Sequence, residues 1–394
     1  MINGSDIHCT GCGACVQICP QTCIKMDEDS NGFLRPVINH EFCVKCDLCS
    51  DTCPIYDGNK KNEIKEAYVV QSTNIQNCKE ATSGGMFGAL AEYVLSRGGV
   101  VYGAIMDKDL IVKHSRETTF NGISDLRGSK YVQSNTLNSF IDARKDLQDG
   151  KIVLYTGTPC QIAGLKKYLK HPFENLITAD IICHGVPSQA YFNKYIQYLE
   201  NSLHRNIIDI NFRDKRVDGW SLAGSIKTKD ALSEKMLKMH YFNHYYYYYF
   251  LEGSIYRESC YSCKYAKIDR EGDFTLGDFW GIEGLKVKMN KSLGCSLVLL
   301  NTSKAKQIFE MLAIKSNRVD MEDAIRHNDQ LKEPSRMPES RKKRLAEYRE
   351  YSADNINKIF EKSNRKRIFV GKIKYAVPYP LRCILVKIKY KVSR

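Results

Sequence analysis

The chain has 394 residues, enough for two or three domains, and its 43% hydrophobic content is ordinary for a globular protein with a substantial core. No basic segment leading into an apolar run opens it, and no stretch approaches the roughly eighteen apolar residues of a membrane span, so a cytoplasmic protein is expected. Its formal net charge of +14 is concentrated at the C-terminus, where no acidic residue follows Glu361.

Residues 1–57 read as a first domain, ended by Cys53-Pro54 and followed by a polar linker, Asp57-Gly58-Asn59-Lys60-Lys61-Asn62. Within it Cys9-x2-Cys12-x2-Cys15-x3-Cys19-Pro20 recurs as Cys43-x2-Cys46-x2-Cys49-x3-Cys53-Pro54, with Asp29-Ser30-Asn31-Gly32 as a turn signal between the copies. From about residue 65 to 335, short apolar runs alternate with longer helical stretches, the pattern of a mixed α/β domain. Strands are expected over 67–70, 100–106, 152–155 and 176–182, and a helix over 85–96 opened by Thr82-Ser83-Gly84. Further strands are expected over 207–212 and 296–300, while the aromatic run 241–251 reads as a helix packed in the core or at an interface, against a surface that stacks a ligand or meets a partner. Residues 336–394 read as a basic extension, charged and weakly patterned. An anionic bilayer, an acidic ferredoxin or plain solvent would each suit it; nucleic acid is not expected, because no recognition motif accompanies the charge.

The sixteen cysteines do not form the framework of a disulfide-rich secreted domain, since nine fall between Cys9 and Cys53 in repeated two-residue spacings. A 4Fe-4S cubane needs four thiolates at its corners; a C-x2-C-x2-C loop wraps three around one cluster, and the cysteine before proline ligates the other. That pattern assigns Cys9, Cys12, Cys15 and Cys53 to one cluster and Cys43, Cys46, Cys49 and Cys19 to a second, in a unit that resembles bacterial two-cluster ferredoxins. Structural zinc, which typically takes two CxxC knuckles separated by a longer loop, suits the spacing less well. Cys23 departs from the ferredoxin pattern and reads as a buried packing thiol.

Four more cysteines sit in glycine- or proline-marked loops: Cys160 in Gly157-Thr158-Pro159-Cys160-Gln161, Cys183 in Cys183-His184-Gly185, and the pair Cys260-x2-Cys263. Cys160 and Cys183 follow expected strands, and loops after strand C-termini converge on one sheet edge. The four would make a third 4Fe-4S site, with zinc or a redox-active dithiol as competing readings and simple burial of each lone thiol as the bland one.

At this point the chain resembles the coenzyme F420 hydrogenase/dehydrogenase beta-subunit family, which also includes 7-hydroxymethyl chlorophyll a reductase. The likeness is carried in order by Thr82-Ser83-Gly84-Gly85, Gly128-Ser129-Lys130-Tyr131-Val132-Gln133-Ser134, Gly157-Thr158-Pro159-Cys160-Gln161, Ile182-Cys183-His184-Gly185-Val186-Pro187-Ser188, Cys260-x2-Cys263 and Gly277-Asp278-Phe279-Trp280-Gly281. The resemblance implies FAD beside a 4Fe-4S cluster and a small organic hydride carrier docking against the flavin. It implies flavin contacts at Thr82, Ser83, Gly84, Gly85, Lys130, Tyr131, Gln133, Ser134, Thr156, Gly157 and Thr158.

The residues themselves are compatible with those roles. Ser83, Gly84 and Gly85 before a helix offer backbone N–H groups and a positive dipole end to a pyrophosphate, although an ordinary helix cap has the same look. Lys130 is read as a cation for phosphate or for the reduced flavin, against a solvated surface charge, and His184 as a proton carrier, against a satisfied loop histidine. Asp278 and Trp280 are expected to line the site or to pack.

The sequence therefore leads to a ferredoxin-like two-cluster domain followed by a mixed α/β flavin-binding domain. The activity expected is that of an iron-sulfur flavoprotein oxidoreductase, linking an organic hydride carrier through FAD and two or three 4Fe-4S clusters to a partner such as ferredoxin. The alternative is an electron-transfer subunit with no substrate of its own, serving a separate reductase; the sequence assigns no oligomeric state.

Overall fold

The computed structural model describes residues 2, 6–56, 62–377 and 381–382; most of the polar linker and the last basic and apolar residues lie outside them. Two strands, β1 (Ile24–Glu28) and β2 (Leu34–Ile38), form an antiparallel hairpin between the two cysteine runs. Its turn is the expected one: the Asp29 carboxylate accepts from the N–H groups of Asn31 and Phe33, and Gly32 takes φ +76°. A short helix, α1 (Ala14–Ile18), carries the third cysteine of the first run, Cys15, and ends at the fourth, Cys19.

The larger part is built on an eight-stranded mixed sheet. In chain order its strands are β3 (Glu66–Ser72), β4 (Val100–Met106), β5 (Val112–Glu117), β6 (Val153–Gly157) and β7 (Leu176–Ile181). After an excursion described below come β11 (Phe274–Asp278), β12 (Ser296–Leu300) and β13 (Ile314–Val319), and the spatial order is β13-β3-β12-β11-β7-β6-β4-β5. Strands β4, β6, β7 and β11 run parallel, whereas β12 is antiparallel to both β11 and β3. The C-terminal ends of β3, β4, β6, β7 and β11 therefore share one edge. Strand β12 lies inside the sheet and all five of its residues are buried, which is why it reads as an unbroken apolar run.

Period-two alternation divides the sheet faces. Val101, Leu154 and Ile177 point to one core with Met86, Leu90 and Val94 of α2 (Met86–Leu95); Val100, Tyr102, Val153 and Tyr155 point to the other, with Ile162 and Leu165 of α3 (Pro159–Leu169). Cys12 and Ala14 belong to that second core, so the cysteine-rich N-terminal segment packs against α3.

Between β7 and β11 the chain forms α4 (Gln189–Leu203) and a second sheet of β8 (Asn206–Asn211), β9 (Ala223–Lys229) and β10 (Glu234–His240), followed by α5 (Tyr245–Glu252). The tyrosine run is core: Tyr245, Tyr246, Tyr247 and Tyr249 are fully buried. The segment beyond residue 335 differs from its reading as a weakly patterned extension. It forms α6 (Ser340–Glu350) and α7 (Ala353–Ala376), and Ile356 and Phe360, one turn apart, are fully buried among the tyrosines. Few apolar residues in a charged helix leave almost no stripe in the sequence; Ile368 and Tyr375 add contacts further along it. Among the described residues no helix is long and apolar enough to cross a membrane.

Candidate redox centres and the cleft beside them

The first run and the last cysteine of the second meet around one cavity. Cys9, Cys12, Cys15 and Cys53 line one small pocket together with Ile2, Met26 and Pro36 (site 1). Cys19, Cys43, Cys46 and Cys49 line another with Ile24, Ile38 and Val44 (site 2). The crossed pairing expected from the spacing is thus the one the fold brings together. Cys23 is buried as expected, and it also borders site 2, its sulfur 3.5 Å from that of Cys19.

Among the described residues no three His, Cys, Asp or Glu side chains gather closely enough for a single ion. The thiols surround a volume instead of a point, as the corner irons of a cubane require. Their electrostatics also fit a cationic iron core. Burial pushes Cys12 up to about 12, with Cys160, Cys53 and Cys9 adding to the rise; Cys15 and Cys53 are raised by burial and by neighbouring thiols. Four thiolates are stable in such surroundings only with positive charge between them.

The third set is assembled from three segments. Cys160 lies in the first turn of α3, Cys183 just beyond β7, and Cys260 and Cys263 in and after a 3-10 turn, Glu258–Ser262 (site 3). Burial raises all four: Cys160 reaches about 11 and Cys260 about 12, while Cys183 rises well above its ordinary value with Cys260, Cys160 and Cys263 contributing. Thr158 caps α3 in a reciprocal box with Gln161, and its hydroxyl lies 3.1 Å from the Cys160 sulfur. One turn later Gly164 faces Cys12 so closely that an added Cβ would sit 3.0 Å from its sulfur. Helix α3 therefore joins sites 1 and 3 along one face. The Cys260–Cys263 segment is pinned by a buried ion pair in which Arg270 meets Asp180 of β7 at 3.1 Å.

The residues expected around a flavin fall into two groups. Ser134, Thr156, Gly157 and Thr158 stand behind the Cys160 loop: His114 bonds the Ser134 hydroxyl and the Thr156 carbonyl, and Gln161 donates to the Ser134 carbonyl. Gln133 turns away too, donating to Thr10 O and accepting from Arg257. Thr82, Ser83, Gly84, Gly85, Lys130 and Tyr131 lie instead along the edge that carries Asp278 and Trp280.

At that edge the glycine turn is only partly available to a ligand. Gly84 N–H donates to the Ser296 hydroxyl, and a Cβ there would lie 2.3 Å from Val70 O, so this glycine serves close packing. The cations are the more telling feature. Lys130, half-buried, donates to the carbonyls of Asp125 and Arg127, and burial lowers it to about 7, against the pull of Asp125 and Asp209. Lys215 donates to the carbonyls of Cys78, Ser83 and Leu293, and burial lowers it to about 8. Neither has a carboxylate partner among the described residues.

Arg213 pairs with Asp278 at 3.1 Å and covers the face of Trp280, which stacks on Trp220 with ring centroids 5.4 Å apart. His184 is reached by solvent yet ringed by protein; loss of hydration lowers its pKa, and Asp278 and Asp329 oppose the fall. Surplus cations beside aromatic faces suit a dinucleotide carrying a pyrophosphate and a flat ring. Sequence reasoning missed Lys215, Arg213, Arg257 and the Arg270–Asp180 pair. Arg257, three residues ahead of the CxxC pair, and Asp180, three ahead of Cys183, lie near a recognisable motif; the others do not.

Comparison with known proteins agrees with both resemblances. Residues 8–56 match the family model described as a 4Fe-4S dicluster domain, and residues 150–326 the one described as the C terminus of the coenzyme F420 hydrogenase/dehydrogenase beta subunit. The coenzyme F420-dependent sulfite reductase of Methanocaldococcus jannaschii is 30% identical over 169 residues, 42% of this chain, and the match spans only 26% of that relative. A chain of the F420-reducing NiFe hydrogenase complex from Methanosarcina barkeri superposes with a TM-score of 0.44 at 16% identity, over 78% of this chain and 94% of that one.

Proposed function

We propose that this chain, which belongs to the coenzyme F420 hydrogenase/dehydrogenase beta-subunit family and carries a 4Fe-4S dicluster domain, is an oxidoreductase with three cubanes in a row and FAD beside the third. FAD, when bound, supplies the exchange between a two-electron hydride carrier and one-electron clusters. The observation that supports this reading most is the continuity of the thiol sites. Cys15 of site 1 interacts electrostatically with Cys49 of site 2, and Cys12 with Cys160 of site 3. Site 2 would be the terminus toward a partner protein such as ferredoxin or a reductase subunit, because Cys46 is an exposed cysteine with exposed Phe42 and Val44 around it.

Each residue of the cleft has a stated part. Lys130 and Lys215, neither in an ion pair among the described residues, would face a pyrophosphate, Trp280 and Tyr131 would give flat apolar surface, and Arg213 is held in place by Asp278. His184 would be the proton carrier beside site 3, and loss of hydration lowers its pKa, with Asp278 and Asp329 opposing. The hydride carrier is proposed to be a deazaflavin or an analogous small molecule.

The test is anaerobic purification of the full chain with flavin and iron analysis, followed by rapid mixing with reduced deazaflavin, NADH and NADPH. About one flavin and about twelve irons per chain are expected, from three clusters of four. No flavin after reconstitution would end the proposal. If no hydride donor reduces a one-electron dye through the isolated chain but one does after a partner subunit is added, the chain is an electron-transfer subunit instead.

A further inference from the structure

We infer that Arg257 sets the reduction potentials of the clusters at sites 1 and 3, by holding beside them a buried positive charge that no carboxylate contacts. The inference rests on those sites holding 4Fe-4S clusters.

Arg257 is fully buried. Its Nε donates to Gln133 Oε1 at 3.0 Å, its Nη1 to Cys9 O at 3.2 Å and its Nη2 to Leu34 O, while the Phe33 ring lies 5.3 Å away. Each of these partners is neutral. The other buried arginines are paired: Arg213 with Asp278, Arg270 with Asp180 and Arg344 with Glu347. Among the described residues Arg257 is the buried arginine left with carbonyl and amide oxygens alone.

A guanidinium does not lose its proton in a protein, and a buried charge without a counter-ion is a large cost to the fold. The missing negative charge lies in the thiol sites. Arg257 acts electrostatically on Cys9 of site 1 and on Cys160 and Cys260 of site 3, and its carbonyl accepts the Cys260 N–H at 3.0 Å; Arg35 and Asp29, paired with each other at 2.9 Å, act on it with opposite signs. Gly11, between two site 1 ligands, takes φ +67°, and a Cβ there would meet Nη2 at 2.7 Å; the ligand loop closes directly onto the cation. Four thiolates around an iron-sulfur core carry net negative charge, which grows when the core takes up an electron. A fixed cation in a low-dielectric setting therefore favours the reduced state of both neighbouring clusters and raises their potentials. None of the Arg257 partners belongs to site 2.

The experiment compares the anaerobic full chain with Arg257→Met, Arg257→Lys and Gln133→Glu. Gln133→Glu is nearly isosteric and sets a carboxylate against the guanidinium. Iron and sulfide are assayed, and cluster potentials are read by titration with magnetic resonance, the site 2 signal being identified by its loss in Cys46→Ser. Two potentials are expected to fall in Arg257→Met and in Gln133→Glu, to stay near wild type in Arg257→Lys, and the site 2 potential to stay fixed throughout. Arg257→Met with full iron and unmoved potentials overturns the inference. So does an equal fall at site 2 or in Arg257→Lys, which marks a merely structural tie. If Arg257→Met does not load iron, an unmoved Gln133→Glu overturns it alone. Wild-type protein without iron would instead refute the cluster reading beneath it.

Discussion

Replacing Asp180 tests what holds the second half of site 3 against the sheet. Asp180 is fully buried in β7, three residues before Cys183, and accepts from Arg270 Nε at 3.3 Å and Nη2 at 3.1 Å. It also accepts the N–H groups of Glu271 at 3.0 Å and Gly272 at 2.9 Å, while Arg270 donates to the carbonyls of Tyr265 and Ile181. Removing one partner of a buried ion pair costs about 3–5 kcal/mol, chiefly because the other charge is left without compensation. Asp180→Asn keeps an acceptor oxygen and belongs near ~3 kcal/mol, whereas Asp180→Ala belongs near ~5 kcal/mol.

The assay is amide hydrogen exchange at Glu271 and Gly272, which reads local opening of this segment without requiring the whole chain to unfold in one step. With about 1.4 kcal/mol per tenfold, protection should fall about 100-fold in Asp180→Asn and more than about 1,000-fold in Asp180→Ala. The double change Asp180→Leu with Arg270→Met should recover part of the loss, since it removes the uncompensated charge. Protection in Asp180→Ala within about tenfold of wild type would refute the argument that this pair carries the segment.

Other consequences can be measured independently. Cys46→Ser and Cys160→Ser should each remove about four irons while leaving the remaining sites loaded, and Cys23→Ser should leave iron and sulfide unchanged, because the spacing makes Cys19 the ligand and Cys23 its packing neighbour. His114 is buried and lowered to about 4 by desolvation, with the bond to Thr156 O opposing. Its folded pKa lies below the unfolded value of about 6.5, so its contribution is full above pH 6.5 and is lost as pH falls toward 4, about 3 kcal/mol in all. Denaturant midpoints of His114→Gln should therefore fall less steeply with acid than wild type across that window. Gly11→Ala should cost at least about 1–2 kcal/mol from its left-handed backbone alone, and more from the contact with Arg257; an unchanged melting curve would show that the guanidinium moves aside freely.

How much was legible followed from how local each feature is. The β4 and β12 ranges were read correctly from short apolar runs, because strands buried within a sheet are apolar throughout. The tyrosine run reads from sequence as a helix packed in a core or at an interface, and the burial of Tyr245, Tyr246, Tyr247 and Tyr249 puts it in the core. The helices beyond residue 335 were missed, since Ile356 and Phe360 gain their burial from α4 and α5, far earlier in the chain. In the flavin motifs, resemblance grouped residues that the fold separates: Gln133 and Ser134 follow Lys130 and Tyr131 directly, yet the chain turns between them toward the N-terminal segment and the Cys160 loop.

By itself the sequence determined the thiol chemistry of the N-terminal domain and which cysteines cross between its two sites, because a tight ligand loop is written in spacings of two and three residues. It also determined that Cys160 and Cys183 follow strands. Only the tertiary structure decided that they meet the Cys260–Cys263 pair, that α3 ties this site to the first, and that Arg257 is buried beside them with amide and carbonyl partners alone. Those are matters of which distant groups share a low-dielectric interior, and charge compensation there depends on what surrounds a residue in space, which no local pattern of the chain encodes.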